Sequence, residues 1–214
     1  MSLLPSDAPV VPSLHLLQIQ DLHLGHPDWV LCRGWSHAWP AGSHLVRGGD
    51  GAGKSSVLRA LAGAQAPRGG RVVRAGEGDV FWVDPRQAEA ALGTAANARQ
   101  WLPQLTARYA AWDAAQWNAH IQHWQLEGAL DKPWHALSTG TARKLWMAAA
   151  FASQAALVLI DEPIAGLDRP SVAYLRQILA QRSGQAERCL LVAHYDDLQG
   201  LPWDSIVDLE QLPR

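Results

Sequence analysis

A glycine-rich segment that ends in lysine and serine is the part of this sequence with the most readable chemistry. Residues 48–56 contain the spacing G-x-x-x-x-G-K-S, between an apolar strand-like stretch and a helix-like one. The glycines let such a loop wrap around phosphate, and N–H groups of the loop and the following helix point at the oxygens. Lys54 can reach the β- and γ-phosphates, and the Ser55 hydroxyl can bind Mg²⁺. The predicted phosphate-binding residues are Gly48, Gly49, Asp50, Gly51, Ala52, Gly53, Lys54, Ser55 and Ser56.

Two carboxylates follow a continuous apolar run further along the chain. Residues 156–160 are all apolar, which is typical of a strand in a parallel sheet that is covered on both faces. A carboxylate at the end of a strand beside a phosphate loop is a usual metal contact, so we predict that Asp161 contacts Mg²⁺ through water. Glu162 comes next and could orient and deprotonate an attacking water. The structural alternatives are a glycine-rich surface loop and acidic residues that simply end a strand.

The rest of the sequence alternates between strand-like and helix-like segments. Strands are predicted at 14–20, 31–39, 44–47, 71–74, 80–83, 156–160 and 189–193. Helices are predicted at 56–62, about 87–136, 141–153 and 170–182. The turn-forming residues 75–78 indicate a hairpin connection between two of the strands. This order predicts a parallel α/β core with a helical insertion.

Composition limits the classes of protein that the chain can represent. Its 214 residues, 48% of them apolar, suit one substantial core. A formal charge of −2 argues against nucleic acid as the main partner. Cys32 and Cys189 form neither a zinc motif nor a disulfide framework, which fits a reducing compartment. Residues 1–13 carry three prolines and no basic region, so we expect a loose tail there, and no apolar run reaches the 18 residues of a membrane span.

Five motifs in order resemble the nucleotide-binding domain of ATP-binding cassette (ABC) proteins. Besides the phosphate loop and the strand with its carboxylates, the chain carries LSTGT at 137–141, AGLD at 165–168 and His194 at the end of the next predicted strand. The resemblance covers about residues 14–209, as a single domain. It implies an α/β P-loop NTPase core with a mainly parallel sheet, an N-terminal antiparallel β subdomain and an inserted helical subdomain at about 87–153.

The resemblance also implies further site residues and a second copy of the chain. In this family, the segment that here holds Ser138 and Gly140 contacts the γ-phosphate on the opposing subunit, so a homodimer, or a pair of ABC subunits, would close around two Mg-ATP molecules. Asp168 would couple the two copies, and His194 would contact the γ-phosphate beside the catalytic residues Glu162 and Lys54. Structural alternatives exist, since Ser138 and Asp168 suit helix N-caps and a lone histidine is often a core residue.

The chain departs from the family pattern in three places. The signature segment usually reads LSGGQ, and here Thr139 and Thr141 replace a glycine and the glutamine. The glutamine expected directly after the strand at 80–83 comes late, as Gln87. The tyrosine that stacks on adenine has no counterpart, and either His26 or Trp29 could replace it with a flat π face.

A small domain of this family most often works as the ATPase of a transporter, at the cytoplasmic face of the membrane and docked on a separate integral membrane subunit. The short helical insertion resembles that of the ATPase of the cytochrome c maturation haem exporter. The chain has 11 tryptophans, and those of the insertion could contact the membrane subunit or pack inward. The alternative functions are a nucleotide-dependent dimer switch with weak hydrolysis and a non-transport ABC protein. About eighty residues without heptads between the motifs argue against the second.

Overall fold

The computed structural model of the chain describes residues 16–26, 28–74, 80–182 and 187–214. The predicted tail at 1–13 and the predicted turn at 75–78 lie outside the described residues, as does the start of the strand predicted at 14–20. The described part contains two sheets with one helix between them, and further helices against the other face of the larger sheet. The predicted α/β class with an N-terminal antiparallel sheet is confirmed.

The elements follow one another in the predicted order, with one further strand, Ser205–Asp208, that was not predicted. The strands are β1 (Leu17–His26), β2 (Trp29–Trp39), β3 (Gly42–Arg47), β4 (Gly69–Arg74), β5 (Val80–Trp82), β6 (Leu157–Asp161), β7 (Cys189–His194) and β8 (Ser205–Asp208). The helices are α1 (Lys54–Ala62), α2 (Glu89–Leu92), α3 (Ala98–Arg108), α4 (Ala114–His123), α5 (Thr139–Ala152) and α6 (Arg169–Arg182). Short 3₁₀ turns lie at Glu127–Ala129, Trp134–Ala136 and Leu209–Gln211.

The antiparallel sheet has the strand order β2-β1-β4 and presents one apolar face to α1. Along β1 the buried residues are first Leu17 and Ile19, and then Leu22 and Leu24. The alternation shifts by one position because the pairing of β1 is irregular around Asp21, whose φ is 50°. The bulge keeps the same face of the sheet apolar along the whole strand.

The larger sheet is parallel throughout, with the strand order β5-β6-β7-β3-β8. Its central strands are buried on both faces, as their apolar runs predict. Along β6, Val158 and Ile160 pack among the residues of the helical layer, whereas Leu157 and Leu159 pack with α1 and the antiparallel sheet. Because β3 leads directly into the loop before α1, the helix that follows the glycine-rich segment is fixed between the two sheets.

The predicted hairpin between the strands at 71–74 and 80–83 is wrong. β4 pairs antiparallel with β1, with Arg74 opposite Leu17, whereas β5 pairs parallel with β6, with Phe81 opposite Val158. The two strands therefore belong to different sheets. The sequence contains the reason, since Val80–Trp82 is a continuous apolar run that suits a buried parallel strand, and β4 alternates between partly buried and exposed residues.

Most tryptophans of the helical segment pack inward. Trp101, Trp117 and Trp124 are between 2% and 4% exposed, and Trp101 meets Trp134 edge-on with ring centroids 5.6 Å apart. Of the two predicted roles for the tryptophans, inward packing is therefore the one found at these three positions, and contact with a membrane subunit is wrong for them. In the part of the chain that the structure describes, no helix has the length and apolar character needed to cross a membrane. Cys32 and Cys189 are buried free thiols, as their isolation in the sequence predicts.

A buried histidine joins α4 to α6. His120 is 6% exposed, its Nδ1 lies 2.9 Å from the Tyr174 hydroxyl, and its ring contacts Trp124 and Phe151. Burial lowers the pKa of His120 from 6.5 to about 4, and the charges of neighbouring cationic groups act in the same direction. The folded protein therefore holds this histidine neutral at pH values where the unfolded chain protonates it.

Acidification is expected to destabilise the fold through His120. The stabilising contribution is complete above pH 6.5 and is lost as the pH falls toward 4, because the unfolded state then binds a proton that the folded state excludes. At pH 5 the free energy of unfolding should be lower by about 2 kcal/mol than at pH 7.5 on this account alone. Urea denaturation of the intact chain and of His120→Gln at both pH values measures the difference. Equal pH dependence in the two chains would contradict it.

Candidate active site

Three neighbouring strands of the parallel sheet end at the same edge, and the predicted phosphate-loop, metal and catalytic residues lie there. β3 pairs with β7 so that Arg47 is opposite His194, and β6 pairs with β7 so that Asp161 is opposite Ala193. Because these strands are parallel, the loop after β3, the carboxylates after β6 and the histidine of β7 converge. A hydrogen bond from the Gly48 N–H to the His194 carbonyl, at 3.3 Å, joins the loop to β7.

The glycine-rich loop uses two residues with left-handed backbone conformations. Gly51 has φ 76° and Gly53 has φ 97°. A side chain at position 53 would be strained and would also collide with Leu31, whose Cδ1 would lie 2.8 Å from the added Cβ. Gly53 is the N-cap residue of α1, and no side chain of the described residues caps this helix there. The first N–H groups of α1 are therefore available to an anion.

Lys54 places a buried positive charge inside the loop. Its side chain donates from Nζ to the carbonyls of Gly48 at 2.8 Å and Gly49 at 3.0 Å. The same Nζ lies 3.0 Å from Glu162 Oε1. An ammonium has three donors, so these contacts fix its position within the loop.

Ser55 and Asp161 form a pair of oxygen ligands that meets the needs of a magnesium ion. The Ser55 hydroxyl donates to Asp161 Oδ2 at 2.6 Å, and Asp161 Oδ1 is buried with no hydrogen-bond partner among the described residues. Burial raises the pKa of Asp161 and the nearby charge of Glu162 adds to this, although the hydrogen bond from Ser55 opposes it. A hydroxyl and an unpartnered carboxylate oxygen are hard ligands of the kind that Mg²⁺ prefers, so these residues fit the predicted metal.

Glu162 and His194 stand beside the lysine. Glu162 leaves β6 with φ 46°, and its N–H donates to the Ala193 carbonyl at 2.9 Å. Its Oε2 lies 3.7 Å from Nε2 of His194, a fully buried ring whose Nδ1 is 3.0 Å from Asp196 Oδ1. Nε2 of His194 has no hydrogen-bond partner in the described ranges. The structure thus brings the three predicted catalytic residues together, with Glu162 between Lys54 and His194.

Lys54, Ser55 and Glu162 line a cavity of about 450 Å³ beside the glycine-rich loop. Its lining residues are Trp29, Gly49, Asp50, Gly51, Gly53, Lys54, Ser55, Ser56, Arg59, Arg86, Glu162 and Ala165. Of the predicted loop residues, Gly48 and Ala52 instead pack against each other at the base of the loop. Trp29 is 43% exposed and its ring lies over Gly53, whereas His26 lines a different cavity on the antiparallel sheet. Of the two candidates for stacking on adenine, Trp29 is the one at the phosphate loop.

Comparison with known proteins decides the family. Residues 38–165 match the family model described as ABC transporter. The chain belongs to the ABC transporter family. The cytochrome c biogenesis ATP-binding export protein CcmA of Paracoccus denitrificans (strain Pd 1222) is 30% identical over 197 residues, covering 92% of this chain and 90% of that protein. The CcmA protein of Gluconobacter oxydans (strain 621H) is 30% identical over 193 residues, covering 89% and 87%.

Solved structures agree on the fold. The structure of the ATP-binding subunit of an ABC transporter matches with a TM-score of 0.66 at 20% identity, covering 84% of this chain and 79% of that one. The predicted P-loop fold is therefore confirmed, and the protein is an ABC-type ATPase.

The signature segment of this ABC ATPase is built around a close backbone contact. Ser138, which is exposed, precedes α5, and its Oγ accepts a hydrogen bond from the Thr141 N–H at 3.1 Å. Its Oγ also lies 2.8 Å from Thr141 Oγ1. Gly140 packs against the chain at Gly166, where a Cβ on Gly140 would lie 2.1 Å from the Gly166 carbonyl oxygen. Only glycine at position 140 allows this approach.

Ser138 and Asp168 both act as helix caps within the single chain. Asp168 accepts a hydrogen bond from the Ser171 N–H at 2.8 Å at the start of α6. Ser138, Gly140 and Asp168 are absent from the described residues that line the phosphate-loop cavity. The structural alternatives are therefore realised for Ser138 and Asp168, and their action on nucleotide across a dimer stays a prediction.

Arg86, rather than Gln87, stands at the phosphate loop. Gln87 lines a neighbouring cavity of about 530 Å³, and Arg86 lines both cavities. Beside it, Arg59 of α1 donates to both oxygens of Asp84, at 2.6 Å and 3.2 Å. Sequence reasoning missed these three charged residues. Their signal was available, since Arg59 lies one helical turn after Ser55, and Asp84 and Arg86 lie within four residues of the end of β5.

A methyl group at position 140 is expected to disturb the signature segment. Gly140→Ala must push α5 away from the Gly166 carbonyl, which should destabilise the protein by about 1–3 kcal/mol, as other overpacked sites do. Gly128→Ala is the matched control, because a Cβ at Gly128 meets no atom within 4 Å. Thermal unfolding of both variants measures the effect. Equal melting temperatures for the two variants would show that the contact with Gly166 is easily relaxed.

Proposed function

We propose that this ABC ATPase binds and hydrolyses ATP to drive an export system of cytochrome c biogenesis. In this proposal two copies work as a dimer, docked at the cytoplasmic face on a separate integral membrane subunit. The observation that carries the proposal is the chain of contacts beside the phosphate loop, in which Ser55 meets Asp161 and Glu162 lies between Lys54 and His194. The export role is supported by the 30% identity with CcmA proteins over 92% of the chain.

In the proposed reaction, water attacks the terminal phosphate in line with the leaving group. The water oxygen forms a bond to the γ-phosphorus, the bond from that phosphorus to the bridging oxygen breaks, and ADP leaves with the electron pair. Glu162 orients the water and accepts its proton. Lys54 and the loop N–H groups stabilise the charge on the phosphate oxygens. Ser55 and Asp161 would hold Mg²⁺, which would supply further positive charge at these oxygens.

The contact between Lys54 and Glu162 links nucleotide binding to catalysis. Glu162 Oε1 lies 3.0 Å from the ammonium, which is the group that must meet the phosphates. A triphosphate in the loop competes with Glu162 for this charge. Binding therefore draws Lys54 toward phosphate and leaves the carboxylate to act as a base toward water. His194, whose Nε2 is 3.7 Å from Glu162, can hold the γ-phosphate on the same side.

A second copy completes the site in this proposal. The exposed N-terminus of α5 carries Ser138 and presents N–H groups that suit a phosphate, but it does not line the cavity of its own chain. Two copies arranged head to tail let each α5 reach the nucleotide held by the other. Asp168, exposed before α6, then lies close to the shared surface.

A nucleotide-dependent dimer switch with weak hydrolysis is the second candidate. The observation in its favour is that Thr141, which replaces the usual glutamine, engages the Ser138 Oγ through both its N–H and its hydroxyl. A serine oxygen held in this way is less available to a γ-phosphate. The switch and the transport ATPase differ in turnover, because only the ATPase requires hydrolysis that depends on Glu162.

Replacing Glu162 by glutamine is expected to separate binding from hydrolysis. Glu162→Gln removes the proton acceptor while keeping the size of the side chain, so phosphate release should fall at least about 100-fold. Sedimentation velocity with Mg-ATP should show dimers accumulating, because the closed state no longer turns over. Glu127→Gln, an exposed position, is the matched control and should behave as the intact chain. Dimers with no hydrolysis in the intact chain would favour the switch.

Trp29 is expected to carry the adenine contact. Loss of one aromatic stacking partner costs about 1–3 kcal/mol for a nucleic-acid base, so Trp29→Ala should weaken Mg-ATP binding about tenfold. Trp29→Phe should retain most of the affinity. His26→Ala is the control and should bind as the intact chain does. Calorimetric titration of the variants decides the matter, and a larger loss at His26 than at Trp29 would reverse the assignment.

A further inference from the structure

Three cationic side chains line the phosphate-loop cavity, and they differ in how their charge is balanced. Lys54 lies 3.0 Å from Glu162, and Arg59 lies 2.6 Å from Asp84. In the part of the chain that the structure describes, the guanidinium of Arg86 has neither a hydrogen bond nor an ion pair. Arg86 therefore brings to this cavity a positive charge that no carboxylate of the described residues holds in a hydrogen bond or ion pair.

Asp84 fixes the backbone of Arg86 through a hydrogen bond, whereas the charge of the Arg86 side chain acts on Asp84 without one. The Arg86 N–H donates to Asp84 Oδ1 at 2.9 Å, and Arg59 engages both oxygens of the same carboxylate. Burial acts to raise the pKa of Asp84, but the hydrogen bonds from Arg59 and from the Arg86 N–H outweigh it. Together with the positive charges of both arginines they hold the pKa below its usual value. Asp84 is thus a charged residue whose acceptors are taken up by Arg59 and the turn. The position of Arg86 is set by a buried ion pair, and its guanidinium is left for a ligand.

The topology directs Arg86 toward the phosphate end of a bound nucleotide. Arg86 lies beyond the carboxyl end of β5, which is the neighbour of β6, and β6 ends in Asp161. Trp29, by contrast, begins β2 and covers Gly53 at the start of α1. Arg86 lines the same cavity as Glu162, the residue proposed to activate water, so its charge is placed for the terminal phosphate rather than for the base.

We infer that Arg86 binds the γ-phosphate of ATP held in its own chain, and acts as a catalytic residue in the place where a glutamine was expected. This inference rests on the proposed function. A guanidinium offers two N–H donors in a fixed fork that matches two phosphate oxygens, and it keeps its charge at every physiological pH. Charge on those oxygens must be stabilised as the γ-phosphorus is transferred to water, so the contact serves hydrolysis as well as binding. ADP lacks this phosphate, and Arg86 therefore distinguishes ATP from ADP.

The experiment compares the affinities for Mg-ATP and Mg-ADP in chains that cannot turn over. In the Glu162→Gln background, calorimetry on Arg86→Ala should show ATP binding weakened by about tenfold or more, since a charged hydrogen bond is lost, while ADP binding changes less than about threefold. Arg86→Lys keeps the charge without the fork and should fall between the two. With Glu162 intact, Arg86→Ala should lower kcat as well as affinity.

Arg108→Ala is the matched control. Arg108 lines the neighbouring cavity with Arg86 but is absent from the described lining of the phosphate-loop cavity, so its removal should leave the ratio of ATP to ADP affinity unchanged. Unchanged affinities for both nucleotides in Arg86→Ala would overturn the role of Arg86 and leave the proposed function standing. Equal losses for ATP and ADP would overturn it too, since they would place the contact at the inner phosphates. Failure of the unaltered chain to bind or hydrolyse ATP would overturn both proposals.

Discussion

The parallel pairing of β3, β6 and β7 is the constraint on which the rest of this structure depends. Each strand ends at the same edge of the sheet, so a loop, two carboxylates and a histidine that are far apart in sequence meet around Lys54. The apolar runs of the strands make this possible, because both faces of the sheet are covered by packed layers. A shift of one residue in either pairing would turn Asp161 away from Ser55.

Charge balance at this edge explains how the site holds its shape before a ligand arrives. Lys54 is retained by two backbone carbonyls and by Glu162, and Arg59 is retained by Asp84. Buried charges without such partners would cost several kcal/mol each. A bound triphosphate would compete for the cations of these ion pairs. The residues that hold the site in shape are therefore also residues of the proposed reaction. Arg86 differs from the other two cations, because no carboxylate of the described residues forms an ion pair or hydrogen bond with its side chain.

Much of the fold was predictable because its signals are local. The continuous apolar runs at 157–160 and 189–193 predict buried parallel strands, and Ser138 predicts the start of α5. The pairing of strands was not predictable in the same way, because β4 and β5 follow each other in sequence but belong to different sheets. The site shows the same division. Motifs identified Lys54, Ser55 and Glu162, whereas the choice of Trp29 over His26, and of Arg86 over Gln87, depends on which cavity each side chain lines.

The most direct test of the central claim is a calorimetric titration of the intact chain with a non-hydrolysable ATP analogue and Mg²⁺, beside Lys54→Ala. One saturable site per chain is expected, and its affinity should fall by at least about tenfold in the variant, because the buried ammonium that meets the phosphates is lost. No saturable heat from the intact chain, or the same affinity in both chains, would contradict the claim that this edge of the sheet holds a triphosphate.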